Sequence, residues 1–266
     1  MKICSFIYLC LLFAAACASK QEPGVLTECG QTLEGDSGVI EYKFDQEYDA
    51  GELCAFIIRV PNEYIMFSLE SHGINNASDP DAITIHTYNG ILMVKTIHLG
   101  PPNPITETYI EGQVAVVVFK TWDNSTLGTG FRLSFRGLWG TVNLPGNDIA
   151  FNNLSDSPLE LPFWQGNDTV VTNNFVILTN GAKAISQPRT NLRLRLSEEF
   201  QNPDGNCQEF FWIYTLTSEN VYREGVFCDA TTDRSVYYTR GLFIIVFRKF
   251  PNTQSKGTLS WDLLIE

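Results

Sequence analysis

Six apolar residues in succession, Val114-Ala115-Val116-Val117-Val118-Phe119, restrict the possible folds of this chain more than any other stretch. The run is rich in β-branched residues and lacks the in-out alternation of a half-solvated strand, so it reads as a central strand covered on both sides. Its neighbours do alternate. Ile83 and Ile85 are separated by Thr84 and followed by His86, while Phe131, Leu133 and Phe135 alternate with Arg132, Ser134 and Arg136. That period of two places one face of each strand on a core. Turn chemistry separates the runs at Asn89-Gly90, Gly100-Pro101-Pro102 and Gly128-Thr129-Gly130. No convincing helical pattern interrupts them, and the expected architecture is all-β, a sandwich of two antiparallel sheets.

The pattern recurs downstream. Leu192, Leu194 and Leu196 alternate with Arg193, Arg195 and Ser197; Phe211 to Tyr214 follow Cys207; Phe243 to Phe247 form a second buried run; and Leu259, Trp261 and Leu263 alternate near the end. Phe119 matches Phe247 and Gly130 matches Gly257, which suggests an internal repeat of one sandwich. A chain of 266 residues is long enough for two such domains, each with its own core.

The segment Cys29-Gly30, Gly38-Val39-Ile40, Tyr42, Tyr48, Gly51 and Cys54, leading into Phe56-Ile57-Ile58-Arg59-Val60-Pro61, resembles the opening of a CUB domain. The resemblance covers 29–137, and 157–266 looks like a degenerate second copy of the same jelly-roll type, with 138–156 as the linker. It implies an extracellular module of a kind that binds other molecules and seldom catalyses. It also implies an early disulfide and a later one. The first half keeps Cys29 and Cys54 for the early bridge, while Ser78 stands about where a third cysteine is expected. In the second half Cys207 and Cys228 have the spacing of the later bridge, and Phe175 sits at the expected position of the second cysteine.

Many members of the family bind calcium through a Glu and two Asp at one loop end. Here Asp81 matches the first Asp, Asn75 stands at the Glu position, and the second Asp falls on Trp122 or, shifted by one, on Asp123. Calcium needs six or more oxygens, and the competing reading makes Asp81 and Asp123 loop residues of Asx turns. Phe210 replaces the equivalent Asp downstream, so the second copy is expected to bind no calcium, and no other cofactor is implied.

Residues 1–18 read as a secretion signal, with Lys2, the apolar stretch Ile7 to Ala15, and Ala16-Cys17-Ala18 favouring cleavage before Ser19. No later stretch has the apolar length of a membrane span. Cys4, Cys10 and Cys17 would leave with the signal, and four cysteines remain. They allow three pairings; because the local pairs lie in separate halves, Cys29–Cys54 and Cys207–Cys228 are expected in an oxidising compartment. The sequons at Asn76, Asn124, Asn153 and Asn167 are candidate glycosylation sites.

Lys and Arg total 18 against 30 Asp and Glu, a net charge of −12 that repels nucleic acid and anionic lipid. Gly35-Asp36-Ser37-Gly38 resembles the nucleophile segment of trypsin-like proteases, but His72, His86 and His98 all follow Ser37, the reverse of that family's order. The segment is better read as a polar turn, and no enzyme activity is expected. Trp122 is a candidate contact residue, since an aromatic on a loop can anchor a protein or stack on a sugar. The functional expectation is a secreted recognition protein for an extracellular protein or glycan. Two alternatives are a structural matrix or secretion component, with self-association, and a non-catalytic regulator of a secreted protease.

Overall fold

The computed structural model describes residues 24–75, 79, 82–101, 106–122, 125, 128–142, 146, 148–151, 159–160, 169–179, 190–199, 210–216, 221–227, 234–239, 241–251 and 256–265. Every regular element among them is a strand. The first ten are β1 (Gly24–Leu26), β2 (Thr32–Glu34), β3 (Ser37–Glu47), β4 (Leu53–Arg59), β5 (Tyr64–Gly73), β6 (Ile83–Asn89), β7 (Leu92–Leu99), β8 (Glu107–Glu111), β9 (Val114–Lys120) and β10 (Thr129–Leu138). They form sheet A, in the order β1-β3-β10-β5-β8, and sheet B, in the order β2-β4-β9-β6-β7. The sheets are not purely antiparallel as the sequence suggested. Short edge strands β1 and β2 run parallel to β3 and β4. The inward rows of A and B share one core that includes Tyr42, Phe56, Ile58, Phe67, Ile83, Ile85, Phe119, Phe131, Leu133 and Phe135. The Cys29–Cys54 disulfide, with its Cα atoms 5.4 Å apart, ties the entry of the chain to β4.

The remaining strands are β11 (Ile149–Phe151), β12 (Leu159–Glu160), β13 (Thr172–Thr179), β14 (Thr190–Glu199), β15 (Phe210–Leu216), β16 (Val221–Phe227), β17 (Arg234–Thr239), β18 (Leu242–Lys249) and β19 (Lys256–Ile265). Sheet C has the order β11-β13-β18-β15-β16, and sheet D the order β12-β19-β14-β17. Adding nine to each strand of sheet B gives sheet C, and adding nine to β3-β10-β5-β8 gives sheet D. The parallel pair β2–β4 recurs as β11–β13. The repeat read from the apolar runs is therefore a repeat of topology. One alignment detail changes: Phe119 faces Cys54 across its ladder, whereas Phe247 faces Asn174. Asn174, not Phe175, occupies the Cys54 position, and that one-residue shift turns Phe175 to the opposite face of its sheet. Cys207 and Cys228 lie outside the described residues.

The two sandwiches meet face to face through sheets B and C. Leu53, Ala55, Ile57, Tyr88, Val114, Val116 and Val118 of B pack with Phe175, Ile177, Tyr214, Leu242, Ile244 and Val246 of C in one apolar cluster. This is why Val114 to Phe119 does not alternate: β9 has a core on each side. The stretch read as a linker contributes to the seam. Arg59 of β4 makes a two-pronged pair with Asp148, through Nε at 2.8 Å and Nη2 at 2.7 Å, and Nη2 also donates to the Asn173 carbonyl at 2.7 Å. Asp148 accepts the Phe175 N–H at 3.0 Å. Both charged side chains are under one-tenth exposed. A Cβ on Gly146 would lie 2.0 Å from the Asn173 carbonyl oxygen and 2.5 Å from Arg59 Nη2, so the chain passes here as glycine.

Candidate functional site

The loop end marked by the sequence is organised around Asp79, a residue that motif reading passed over. Asp79 is fully buried. Its carboxylate accepts the Tyr48 hydroxyl at 2.8 Å, the Trp122 N–H at 3.0 Å and the Ser125 hydroxyl. The Tyr48 oxygen in turn accepts the Asn75 N–H at 3.1 Å, and the Asn75 carbonyl accepts the Asp79 N–H at 2.8 Å. Three loops are thus closed on one carboxylate. Of the calcium set, Asn75 takes part through its backbone, and Asp81 and Asp123 lie outside the described residues. Among the described residues no group of three or more His, Cys, Asp or Glu is placed to hold a metal ion. Asp79, already engaged by three donors, does not by itself supply the oxygens calcium requires. The sequons Asn76, Asn124, Asn153 and Asn167 also fall outside the described residues, Asn76 and Asn124 standing near Asp79 and Trp122 in sequence.

Trp122 is partly exposed, at 36%, with the Lys120 ammonium 4.1 Å from its ring centroid. This cation–π contact covers a ring face from within the molecule. Beside it lies a second buried network. Glu52 accepts from the Tyr42 hydroxyl, from Lys43 Nζ at 2.9 Å and from the Asp49 N–H at 2.9 Å. Burial, reinforced by Glu52, pushes the Tyr42 hydroxyl well above the usual tyrosine range. Burial pulls Lys43 down, but its bonds to Asp49 and Glu52 outweigh that and its pKa is raised overall. Lys43 and Asp45 both have left-handed backbones, at the bulge where β3 and β10 lose register. These acidic and basic groups hold the loops in place.

The opposite end of sheet A carries a different surface. Tyr64 begins β5, Tyr109 lies on edge strand β8, and Trp139 follows β10. Tyr109 is 64% exposed and Trp139 60%. The Trp139 ring stands nearly perpendicular to both tyrosines, 5.1 Å from Tyr64 at 79° and 6.1 Å from Tyr109 at 80°. Register puts Glu111 opposite Tyr64 and Tyr109 opposite Met66, so Glu107, Tyr109 and Glu111 share the outward row of β8. Sequence reading missed this site because Trp139 fell at the edge of a presumed linker and Tyr109 in a short strand. The signal present was Trp139-Gly140, an aromatic residue beside a turn glycine.

On sheet D, Arg193 and Arg195 are both bonded to Asp262. The Arg193 bond is the leading cause that holds the Asp262 carboxyl below the usual range.

No family model and no curated protein sequence matches the chain. Similar solved structures include the CUB1-EGF-CUB2 domains of rat MASP-1, at 14% identity and TM-score 0.33 over 86% of this chain and 98% of that one. The corresponding human MASP-1/3 domains give 12% identity and TM-score 0.31 over 86% of this chain and 100% of theirs. The full extracellular region of zebrafish Gpr126/Adgrg6 gives 13% and 0.34, over 88% of this chain and 33% of that one. At these scores the architecture rests on the strand order, and the likeness is one to CUB-containing fragments.

Proposed function

We propose that this chain is a secreted, glycosylated tandem-CUB recognition protein without catalytic activity, which binds an extracellular protein or glycan. The observation that supports it best is the end of sheet A where Tyr109 and Trp139 remain mostly exposed, whereas the apolar rows of sheets B and C that face each other are covered in the seam. Exposed aromatic anchors on a rigid scaffold suit binding. Both sandwiches share a packed seam, so the face is presented by one stiff body. Among the described residues no helix is long and apolar enough to cross a membrane.

The test is to display the secreted chain on a sensor beside a Tyr109→Ala/Trp139→Ala variant, then expose both to fractionated extracellular fluid and to a glycan array. A saturable ligand held by the native chain and lost by the variant supports the reading. Identical binding profiles for the two proteins would remove sheet A as the recognition surface.

A further inference from the structure

Trp139 has φ 50° and Gly140 φ 61°. Left-handed geometry is natural for the glycine and strained for a bulky aromatic. The turn is held in place: the Trp139 carbonyl accepts the Glu63 N–H at 3.1 Å, and Asn62 Nδ2 donates to the Gly140 carbonyl at 3.0 Å. Strain that keeps a ring out in solvent contributes nothing to a core, and such outliers concentrate at functional sites.

The ring geometry selects among ligands. A sugar stacks on an open, flat ring face, whereas these rings meet edge to face at close to right angles and form a corner bounded by two π-faces. Such a corner suits a compact cation. Its charged surroundings have the matching sign. Glu107 and Glu111 lie on the Tyr109 row and Glu63 lies beneath the turn, where a Cβ on Gly140 would meet the Glu63 carboxyl carbon at 2.8 Å. The nearby cation on the adjoining row is Arg136, whose Nη2 rests 3.8 Å from Met66 Sδ. Protection of the β8 edge would account for its glutamates, but it does not account for two exposed aromatic rings beside them. The whole chain carries a net charge of −12, which favours approach of a basic protein.

We infer that the Tyr64–Trp139–Tyr109 corner receives an arginine or lysine side chain of a basic extracellular protein. The cation lies against the Trp139 and Tyr109 faces, and Glu63, Glu107 and Glu111 supply the counter-charge. This rests on the recognition reading above and names its ligand chemistry.

The probe is a blocked ten-residue peptide of alternating arginine and threonine, compared by calorimetry with the same peptide carrying citrulline, a neutral isostere of arginine. The full secreted chain is expected to bind the arginine peptide about tenfold more tightly, an advantage that shrinks with salt. Trp139→Gly removes the ring at a position whose backbone glycine accepts, so binding falls about tenfold while the melting temperature holds or rises. Glu107→Gln/Glu111→Gln is expected to weaken binding about fivefold and to flatten the salt dependence. Equal affinity for both peptides, or a Trp139→Gly variant that melts lower yet binds normally, overturns the inference. A Trp139-dependent glycan also overturns it but leaves the recognition reading standing, whereas Trp139-dependent self-association overturns it and favours the structural-component alternative. If no ligand of any kind depends on Trp139, the inference falls and sheet A is removed as the recognition surface; if the chain retains no extracellular ligand at all, the recognition reading falls as well.

Discussion

Ile57 and Ile58 are neighbours on β4, both fully buried, and they are buried by different parts of the molecule. Ile58 points into the first sandwich, among Phe56, Phe119 and Phe131, whereas Ile57 points into the seam, among Val116 and the residues of sheet C. Contacts between domains of one chain are ordinarily more polar than a core and permit relative motion. This seam is apolar across its centre. It adds polar ties of its own: the Arg59–Asp148 pair, and the Tyr214 hydroxyl donating to the Ile91 carbonyl at 3.3 Å. The interior makes each sandwich fold, and the seam makes the two behave as one.

The widest gap between the two regions comes from placing a charge in each. Ile58→Asp buries a carboxylate inside the first sandwich, costs more than about 4 kcal/mol and abolishes its folding. Ile57→Asp allows the carboxylate to reach water once the sandwiches part, so calorimetry of that variant should resolve two transitions where the native chain gives one. A single lowered transition would mean the halves fold only together. Next, Asp148→Ala leaves Arg59 buried without its carboxylate and should cost about 3–5 kcal/mol in urea unfolding. Most of that should return in Arg59→Leu/Asp148→Leu, which removes both charges.

His86 gives a smaller effect, confined to acid. It pairs with Val116 on the seam side of β6, is fully buried, and hydrogen-bonds Thr96 through Nδ1 at 2.9 Å. Burial, helped by repulsion from His98, lowers its pKa from 6.5 to about 4. The folded state therefore refuses a proton that the unfolded chain accepts. Stability is full above pH 6.5, falls as the pH drops from 6.5 towards 4, and levels off below that, for a total of about 3 kcal/mol. Melting temperature against pH should show this slope, and His86→Gln should flatten it. Smallest is Tyr88→Phe. The Tyr88 hydroxyl is wholly buried without a partner among the described residues, and burial raises its pKa well above the tyrosine range. Removing it should raise stability by about 1 kcal/mol, and any loss would reveal a bond that the hydroxyl makes.

Much of the fold was legible because period-two alternation and turn residues are local signals. Ile83 and Ile85, Leu192 and Leu194, and the Asn89-Gly90 turn all behave as their pattern says. The non-alternating run of β9 announced a second covered face, but apolarity carries no address, and nothing in Val116 or Val118 names Ile244 or Val246 as its cover. The Asp79 hub was hidden for a related reason. One aspartate in a loop looks like any other until folding brings Tyr48, and Trp122 with Ser125, to it from two separate segments. Trp139 stayed unread because its importance lies in a backbone angle.

The nine-strand offset has a further consequence when it is put in terms of symmetry. Sheet C is the repeat's copy of sheet B, so the seam brings the same face of each copy together. β4 lies against β13, its own counterpart, and Tyr88 of β6 touches Tyr214 of β15, again a counterpart strand. Like surfaces joined to like are the mark of a two-fold homodimer, here with its halves on a single chain. A tethered dimer of this kind no longer depends on concentration to assemble. Its two outermost sheets, A and D, are equivalent in strand order but not in chemistry: A presents exposed Tyr109 beside Trp139 at one end, while D gathers Arg193 and Arg195 on Asp262.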